Sequence, residues 1–287
     1  MAQPLNDTVQ LDCDDPVPGF NGGGIDPATV ASGSGGSDPA AISVHDSESD
    51  EEPPCDVAEL FSPPRICARA EMFGLILGFS HDLQTHVDLS TSAGRAQSWG
   101  ELHSSSPKAL VVSPLCTWCS TIQNLNKRHY TEEIWARRED QARSLLNFAV
   151  ACCKSQYDKR RWFIFEHPWK ATSWQRGALV ALAALDNVRS VDFDQCSTGL
   201  AGPNGQPIKK RTKLLTHIPS VISRFSQLQC SCSTKHLRIE GSCHGIPLSS
   251  YCQVYTRFLC DAILTCIHEC IHGYDADATP IMAELVS

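Results

Sequence analysis

The feature that most restricts the fold is an alternation that begins at Asp56: short apolar runs of strand length, separated by stretches with helical spacing. Such alternation builds parallel strands joined by crossover helices, so it specifies an α/β protein with a doubly wound, mostly parallel sheet rather than an all-helical or all-β one. The expected strands are Val57–Phe61, Ile76–Leu83, Ala109–Val112, Trp162–Phe165 and Val191–Phe193, with Lys213–Thr216 as a candidate edge strand. Ala109–Val112 is uninterrupted and closed by Pro114, as expected for a strand buried on both faces. Helices are expected over Ile66–Leu75, Arg95–His103, Thr131–Gln156, Thr172–Asp186 and Tyr255–Ile271. In the longest, Ile134, Leu145, Ala149, Cys152 and Gln156 recur at threes and fours, and Glu132 and Glu133 in the first turn suit the positive end of the helix dipole.

Residues 1–54 have a different character. They are rich in Gly, Ser, Pro and Asp, show no strand or helix period, and carry eleven acids and no Lys or Arg, so they are expected to be a disordered acidic leader. The net charge of the chain is −8, but beyond the leader 24 bases face 21 acids, a mildly basic balance that permits a polyanionic partner. Fifteen cysteines in 287 residues, an odd number and about 5% of the chain, are too sparse for a disulfide scaffold and point to free thiols in a reducing, intracellular compartment. The most apolar run, Ala178–Leu185, is far short of a membrane span, and no membrane partner is expected. The expected domains are the leader (1–54), an α/β domain (55–217) and a small Cys/His-rich region (218–287).

Two polar residues fall just beyond the carboxyl ends of candidate parallel strands: Cys116, after Ala109–Pro114, and Glu166, after Trp162–Phe165. That edge is where open α/β sheets bind ligands, and a thiol beside a carboxylate suits covalent chemistry, the sulfur attacking carbon while the acid manages a proton. In the C-terminal region Cys230, Cys232, His236 and Cys243 offer soft ligands for zinc, although their spacing matches no standard finger. Cys266 and Cys270 fall on an apolar helical stripe with Leu259, Ile263 and Ile267 and are expected in the core, with His268 and His272 on the opposite face.

These residues resemble those of a known family. Ser113-Pro114-Leu115-Cys116-Thr117-Trp118-Cys119-Ser120 resembles the nucleophile loop of the DNA cytosine-5 methyltransferases, Glu166-His167-Pro168 stands where that family has its Glu-Asn-Val, and Glu59-Leu60-Phe61-Ser62 resembles the start of its cofactor loop. Asp82 and Asp88 follow in the family's order, and the matches cover about residues 56–195. Leu60–Arg65, Gln123-Asn124-Leu125, Glu166–Pro168 and the Lys209-Lys210-x-Thr212 region are most similar to methyltransferase-like segments of protist retroelement polyproteins. The resemblance implies a class I, Rossmann-like methyltransferase fold with S-adenosylmethionine held by Glu59, Phe61, Ser62, Asp82, Asp88 and Pro114, and DNA as the partner. It also implies a flipped cytosine attacked by Cys116 and held by Glu166, with Arg211 supporting the base or a phosphate.

The sequence departs from the family pattern at Ser62-Pro63-Pro64, where a glycine-rich turn is usual, since proline fixes φ and donates no amide hydrogen bond. Leu115 replaces the second proline of the nucleophile loop, and only five residues separate Asp82 from Asp88. Two other function classes therefore stay open: a methyltransferase fold that has lost catalysis and serves as a nucleic-acid-binding or interaction module, and a cysteine-dependent hydrolase with His167 as base.

Overall fold

A computed structural model describes residues 55–116, 127–239, 241–243 and 246–273; the side chains of Cys243, Ile246 and Ser250 are outside the description. The leader, and Thr117 to Asn126 with the end of the nucleophile loop, lie outside the described residues.

The first apolar run forms β1 (Val57–Leu60), followed by a 3-10 helix (Cys67–Phe73), β2 (Leu77–His81), α1 (Ser92–Ser104) and β3 (Ala109–Val112). Then come α2 (Glu132–Asp158), β4 (Trp162–Pro168), α3 (Gly177–Ala183), β5 (Arg189–Asp194), β6 (Arg211–Thr216) and α4 (Pro219–Ser226). A two-strand ribbon, β7 (Ser242–Cys243) with β8 (Ile246–Pro247), the single turn α5 (Leu248–Tyr251) and α6 (Arg257–His272) complete the described chain. Threonines start the three longest helices: Thr91, Thr131 and Thr256 each accept an amide hydrogen bond from the first turn, of Gly94, Ile134 and Leu259 respectively, satisfying donors that a helix start leaves orphaned.

The six main strands form one sheet in the order β2-β1-β3-β4-β6-β5. β2, β1, β3 and β4 run parallel, whereas β6 is antiparallel to both of its neighbours. Lys213–Thr216, expected at an edge, is thus the inserted strand, and β5 takes the edge. Leu214 and Leu215 are fully buried because both sides of β6 are paired.

Helices cover both faces. Val57, Val111, Ile164 and Leu214 point to one, against the 3-10 helix, α4 and α6; Leu60, Val112, Phe163, Phe165 and Leu215 point to the other, against α1, α2 and α3. α6, assigned from sequence to a separate Cys/His-rich region, is part of the first layer. Its Leu259, Ile263, Cys266 and Ile267 are buried there, and the Asp261 carboxylate accepts Nε (2.5 Å) and Nη2 (2.9 Å) of Arg69 on the 3-10 helix. The expected helix over Thr172–Asp186 is broken: Thr172–Gln175 is a 3-10 turn, and Arg176 is extended (ψ 135°) before α3 begins. Among the described residues, no helix is long and apolar enough to cross a membrane.

Candidate functional site at the carboxyl edge of the sheet

From β1 the chain winds outward to β2 and then returns past β1 to β3, so the winding reverses between β1 and β3. That reversal opens a crevice at the carboxyl ends of the two strands, the place where ligands sit in open α/β sheets. Glu59, Phe61 and Ser62 end or follow β1 and Ser113, Pro114 and Cys116 follow β3, with the Ser113 amide donating to Leu60 O at 3.1 Å. Glu166 lies near the carboxyl end of the next strand, β4.

Cys116 and Glu166 belong to one cluster. Cys116 is partly exposed, and burial is the main influence raising its thiol above the ordinary value; the Lys210 ammonium pulls the other way and the Glu166 carboxylate adds to the rise. Lys210 Nζ stands 4.0 Å from Glu166 Oε1 and donates to Cys252 O at 3.0 Å. Glu166 is buried, and among the described residues its Oε1 has no hydrogen-bond partner. Tyr255, just ahead of α6, shares a 2.6 Å hydrogen bond with Ser113 Oγ, and burial together with Glu166 holds its hydroxyl protonated well above the usual range. A thiol, a carboxylate oxygen that accepts no hydrogen bond among the described residues, an ammonium and a phenol therefore converge on one rim.

Lys210, Tyr255 and Ser113 were given no role in the site from sequence, although Ser113 and Lys210 fall within the motifs that carry the resemblance. Lys210 stands one position before Arg211, the residue first expected in this role. The Arg211 guanidinium instead pairs with Asp192 and lies over the Trp169 ring, 4.6 Å from its centroid, facing away from Glu166 toward the sheet edge. Lys210 was discoverable only as the other basic residue of the Lys209-Lys210 pair, and Tyr255 carried no motif at all.

The expected cofactor residues lie at the carboxyl end of β1 or in the turns after β1, β2 and β3, and several are already engaged. Glu59 is fully buried; its Oε2 accepts the amides of Cys67 (2.7 Å) and Arg65 (3.0 Å), while Oε1 is unpartnered among the described residues. Burial pushes its carboxyl up, and these amides partly oppose the shift. Phe61 has φ +63°, a strained turn held by its amide bonding to His81 O at 2.9 Å, and Ser62 Oγ donates to Pro63 O. Asp82, directly after β2, accepts the amide of Gln84 at 2.9 Å, and Asp88 accepts that of Ser90 at 2.8 Å, so each caps its own turn. Pro114 is buried.

On β4 the side chain next to Glu166 points to the opposite face. His167 is fully buried between Phe165 and Trp174, and among the described residues neither ring nitrogen has a hydrogen-bond partner. Burial above all, with Lys210 adding to it, holds its pKa down at about 3; an interaction with the Glu166 backbone opposes this without hydrogen-bond geometry. No hydrogen bond among the described residues joins it to Cys116, so the structure offers nothing to make it the base of the hydrolase reading.

A second cluster lies beyond the carboxyl end of β5. Cys196, Cys230, Cys232 and His236 offer ligand atoms within 4.8 Å of one another and can hold a metal ion. Three of the four were expected from sequence; Cys196 joins them from the turn Gln195–Thr198, and the side chain of Cys243 lies outside the described residues.

Comparison of the sequence with protein-family models and with curated proteins finds no match.

Proposed function

We propose that this chain is an S-adenosylmethionine-dependent methyltransferase acting on cytosine in DNA, with Cys116 as nucleophile and Glu166 as the group that holds the base. The observation that carries the reading is that Glu166 Oε1, buried on the same rim as Cys116, accepts no hydrogen bond among the described residues, Lys210 Nζ standing off at 4.0 Å. Leaving a buried carboxylate oxygen without a donor is costly, and an exocyclic amine or a protonated ring nitrogen of a flipped base would satisfy it. The strand order agrees with the same reading: a mostly parallel α/β sheet, with one antiparallel strand inserted beside its edge strand, is compatible with the Rossmann-like fold that the resemblance implies.

In this reading Cys116 gives up its proton to solvent and its sulfur bonds to C6 of the ring, the C5–C6 π pair moving onto C5. Hydrogen bonds from the base to Glu166 favour the shift of electron density toward C5, and Lys210 steadies the Glu166 carboxylate. Once C5 has taken the methyl group, with S-adenosylhomocysteine as the leaving group, loss of the C5 proton to solvent lets the C6–S bond break and returns the thiolate, which is then reprotonated from solvent. S-adenosylmethionine, when bound, supplies the electrophilic methyl group. The unpartnered Oε1 of Glu59 fits a cofactor donor beside β1, and Asp82, Asp88, Phe61, Ser62 and Pro114 would complete the binding surface.

One specific observation favours a second reading, a methyltransferase fold that has lost catalysis and binds nucleic acid or a partner. The turn after β1 has two prolines without amide hydrogens, and the next amides, of Arg65 and Cys67, are already spent on Glu59. The two readings separate in one experiment: tritium transfer from methyl-labelled S-adenosylmethionine to cytosine-containing duplexes, with calorimetry against S-adenosylhomocysteine. Transfer that disappears in Cys116→Ser with cofactor affinity kept supports catalysis; no transfer and no cofactor binding at millimolar ligand supports the second reading.

A further inference from the structure

We propose that Cys196, Cys230, Cys232 and His236 bind one zinc ion as a closed, structural Cys3His site that staples the segment 228–237 to the turn after β5. The inference is independent of the methyl-transfer reading.

The donor set decides the metal. Three thiols and an imidazole are borderline-soft ligands, the combination that structural zinc sites use, whereas magnesium and calcium require oxygen. Zn–S bonds of about 2.3 Å and Zn–N bonds of about 2.0 Å set the ligand atoms of a loaded tetrahedron roughly 3.5–3.8 Å apart. Cys230 Sγ and His236 Nε2 already stand 3.3 Å apart, and the full set lies within 4.8 Å, so closure on an ion needs movements of about an ångström in side chains. All three cysteines are free thiols. Four protein ligands fill the tetrahedron, leaving no open position, which marks a structural rather than a catalytic ion.

The surrounding chain shows what the ion would hold. The apolar cluster here is small, Leu200, Ile208 and Cys252 with Leu237 and Ile239 packed on it, too little burial to fix a segment this long without a staple. The ligands flank the backbone contacts that set the segment leading to β6. Gln195, next to Cys196, donates its amide to Lys210 O at 3.0 Å, and Leu237, next to His236, donates to Pro207 O at 2.8 Å and bridges Ile208. Asp194 Oδ2 accepts the Cys230 amide at 3.1 Å and faces Lys209 Nζ at 3.6 Å. An ion at this point ties both anchors of residues 207–210 together, and Lys210 at the end of that segment is the cation beside Glu166.

The test uses the full chain, expressed with zinc and purified under reducing conditions without chelator. Zinc by mass spectrometry is expected at one ion per chain, falling at least tenfold in Cys196→Ser and in Cys230→Ser and unchanged in Cys243→Ser. Folded wild-type protein that holds no zinc after stoichiometric reconstitution overturns the proposal, as does zinc kept by Cys196→Ser and lost by Cys243→Ser. Because serine variants can misfold, two readouts use the wild-type chain. Cobalt substitution should give the intense thiolate charge-transfer and tetrahedral ligand-field bands of a sulfur-rich site; a weak octahedral spectrum contradicts it. Differential alkylation should show Cys196, Cys230 and Cys232 protected together and exposed together by a chelator. A mass lower by two hydrogens, marking a disulfide within the cluster of the protein as purified, also contradicts the proposal.

Discussion

His167 makes the fold acid-sensitive in a way that can be worked out from its surroundings. Fully buried between Phe165 and Trp174, with no hydrogen-bond partner among the described residues, it stays neutral in the folded state until the pH approaches about 3. In the unfolded chain the same imidazole titrates near the ordinary value of about 6.5. Between those limits the unfolded state binds more protons, so stability is fully present above the unfolded value and is lost as pH falls toward the folded one. Each pH unit in that window removes about 1.4 kcal/mol, and at pH 4.5 the loss reaches about 2.7 kcal/mol from this residue alone. His167→Leu keeps the volume and removes the titration. Urea unfolding of both proteins at pH 7.0, 5.5 and 4.5, each referred to its own value at pH 7.0, isolates the effect, because His81, His217 and the carboxylates are common to both. The wild-type protein should lose about 2.7 kcal/mol more than the variant at pH 4.5; parallel losses would refute a buried neutral His167 and with it the packing of β4 against Trp174.

Other predictions follow from the same contacts. Asp261→Ala should destabilise by about 3 kcal/mol in urea, the low end for breaking a buried pair because Arg69 keeps some access to water, while Arg69→Met with Asp261→Leu should be close to neutral; a loss below about 1 kcal/mol in the single variant would show that α6 is not docked this way. Gly94→Ala should cost roughly 1–3 kcal/mol by thermal unfolding, since the new methyl group would meet the Asp88 carbonyl oxygen at 2.1 Å and push apart the turn that presents Asp88; an unchanged midpoint would refute that approach. Iodoacetamide should label Cys116 more slowly at pH 7 than a free thiol and faster as pH rises, with Glu166→Gln speeding the reaction and Lys210→Met slowing it by a few-fold; rates insensitive to both variants would separate the three side chains.

What the sequence revealed depended on whether a signal was local. Ala109–Val112 and Trp162–Phe165 read directly as buried parallel strands because both faces are covered and nothing polar interrupts them. Those two strands place Cys116 and Glu166, so the pairing at the rim was legible too. Lys213–Thr216 was legible as a strand but its interior place in the sheet was not, because Lys213 gives it the look of a half-exposed strand; that lysine in fact lies over the Trp174 ring, 5.0 Å from its centroid, which hides its stem on a covered face. The break at Arg176 was invisible in an alanine- and leucine-rich stretch with good helical spacing. Cys196 could not be joined to Cys230 from sequence, since 33 residues and all of β6 separate them and only the β5–β6 pairing brings the turn back. Lys210, just ahead of β6, was passed over for Arg211, its first residue, because successive side chains in extended chain point to opposite sides, and which one faces Glu166 depends on a register that only the paired strands set.

The central claim, that Cys116 and Glu166 act together on a flipped cytosine, is tested most directly by incubating the full chain and S-adenosylmethionine with a duplex containing 5-fluorocytosine. The fluorine cannot leave as a cation, so a base that has taken both the thiol and the methyl group stays attached to the protein. Intact-mass analysis should find one oligonucleotide per chain, peptide mapping should place it on Cys116, and Glu166→Gln should sharply reduce its yield. A folded, cofactor-binding protein that forms no adduct, or one whose adduct maps to another cysteine, would contradict the assignment.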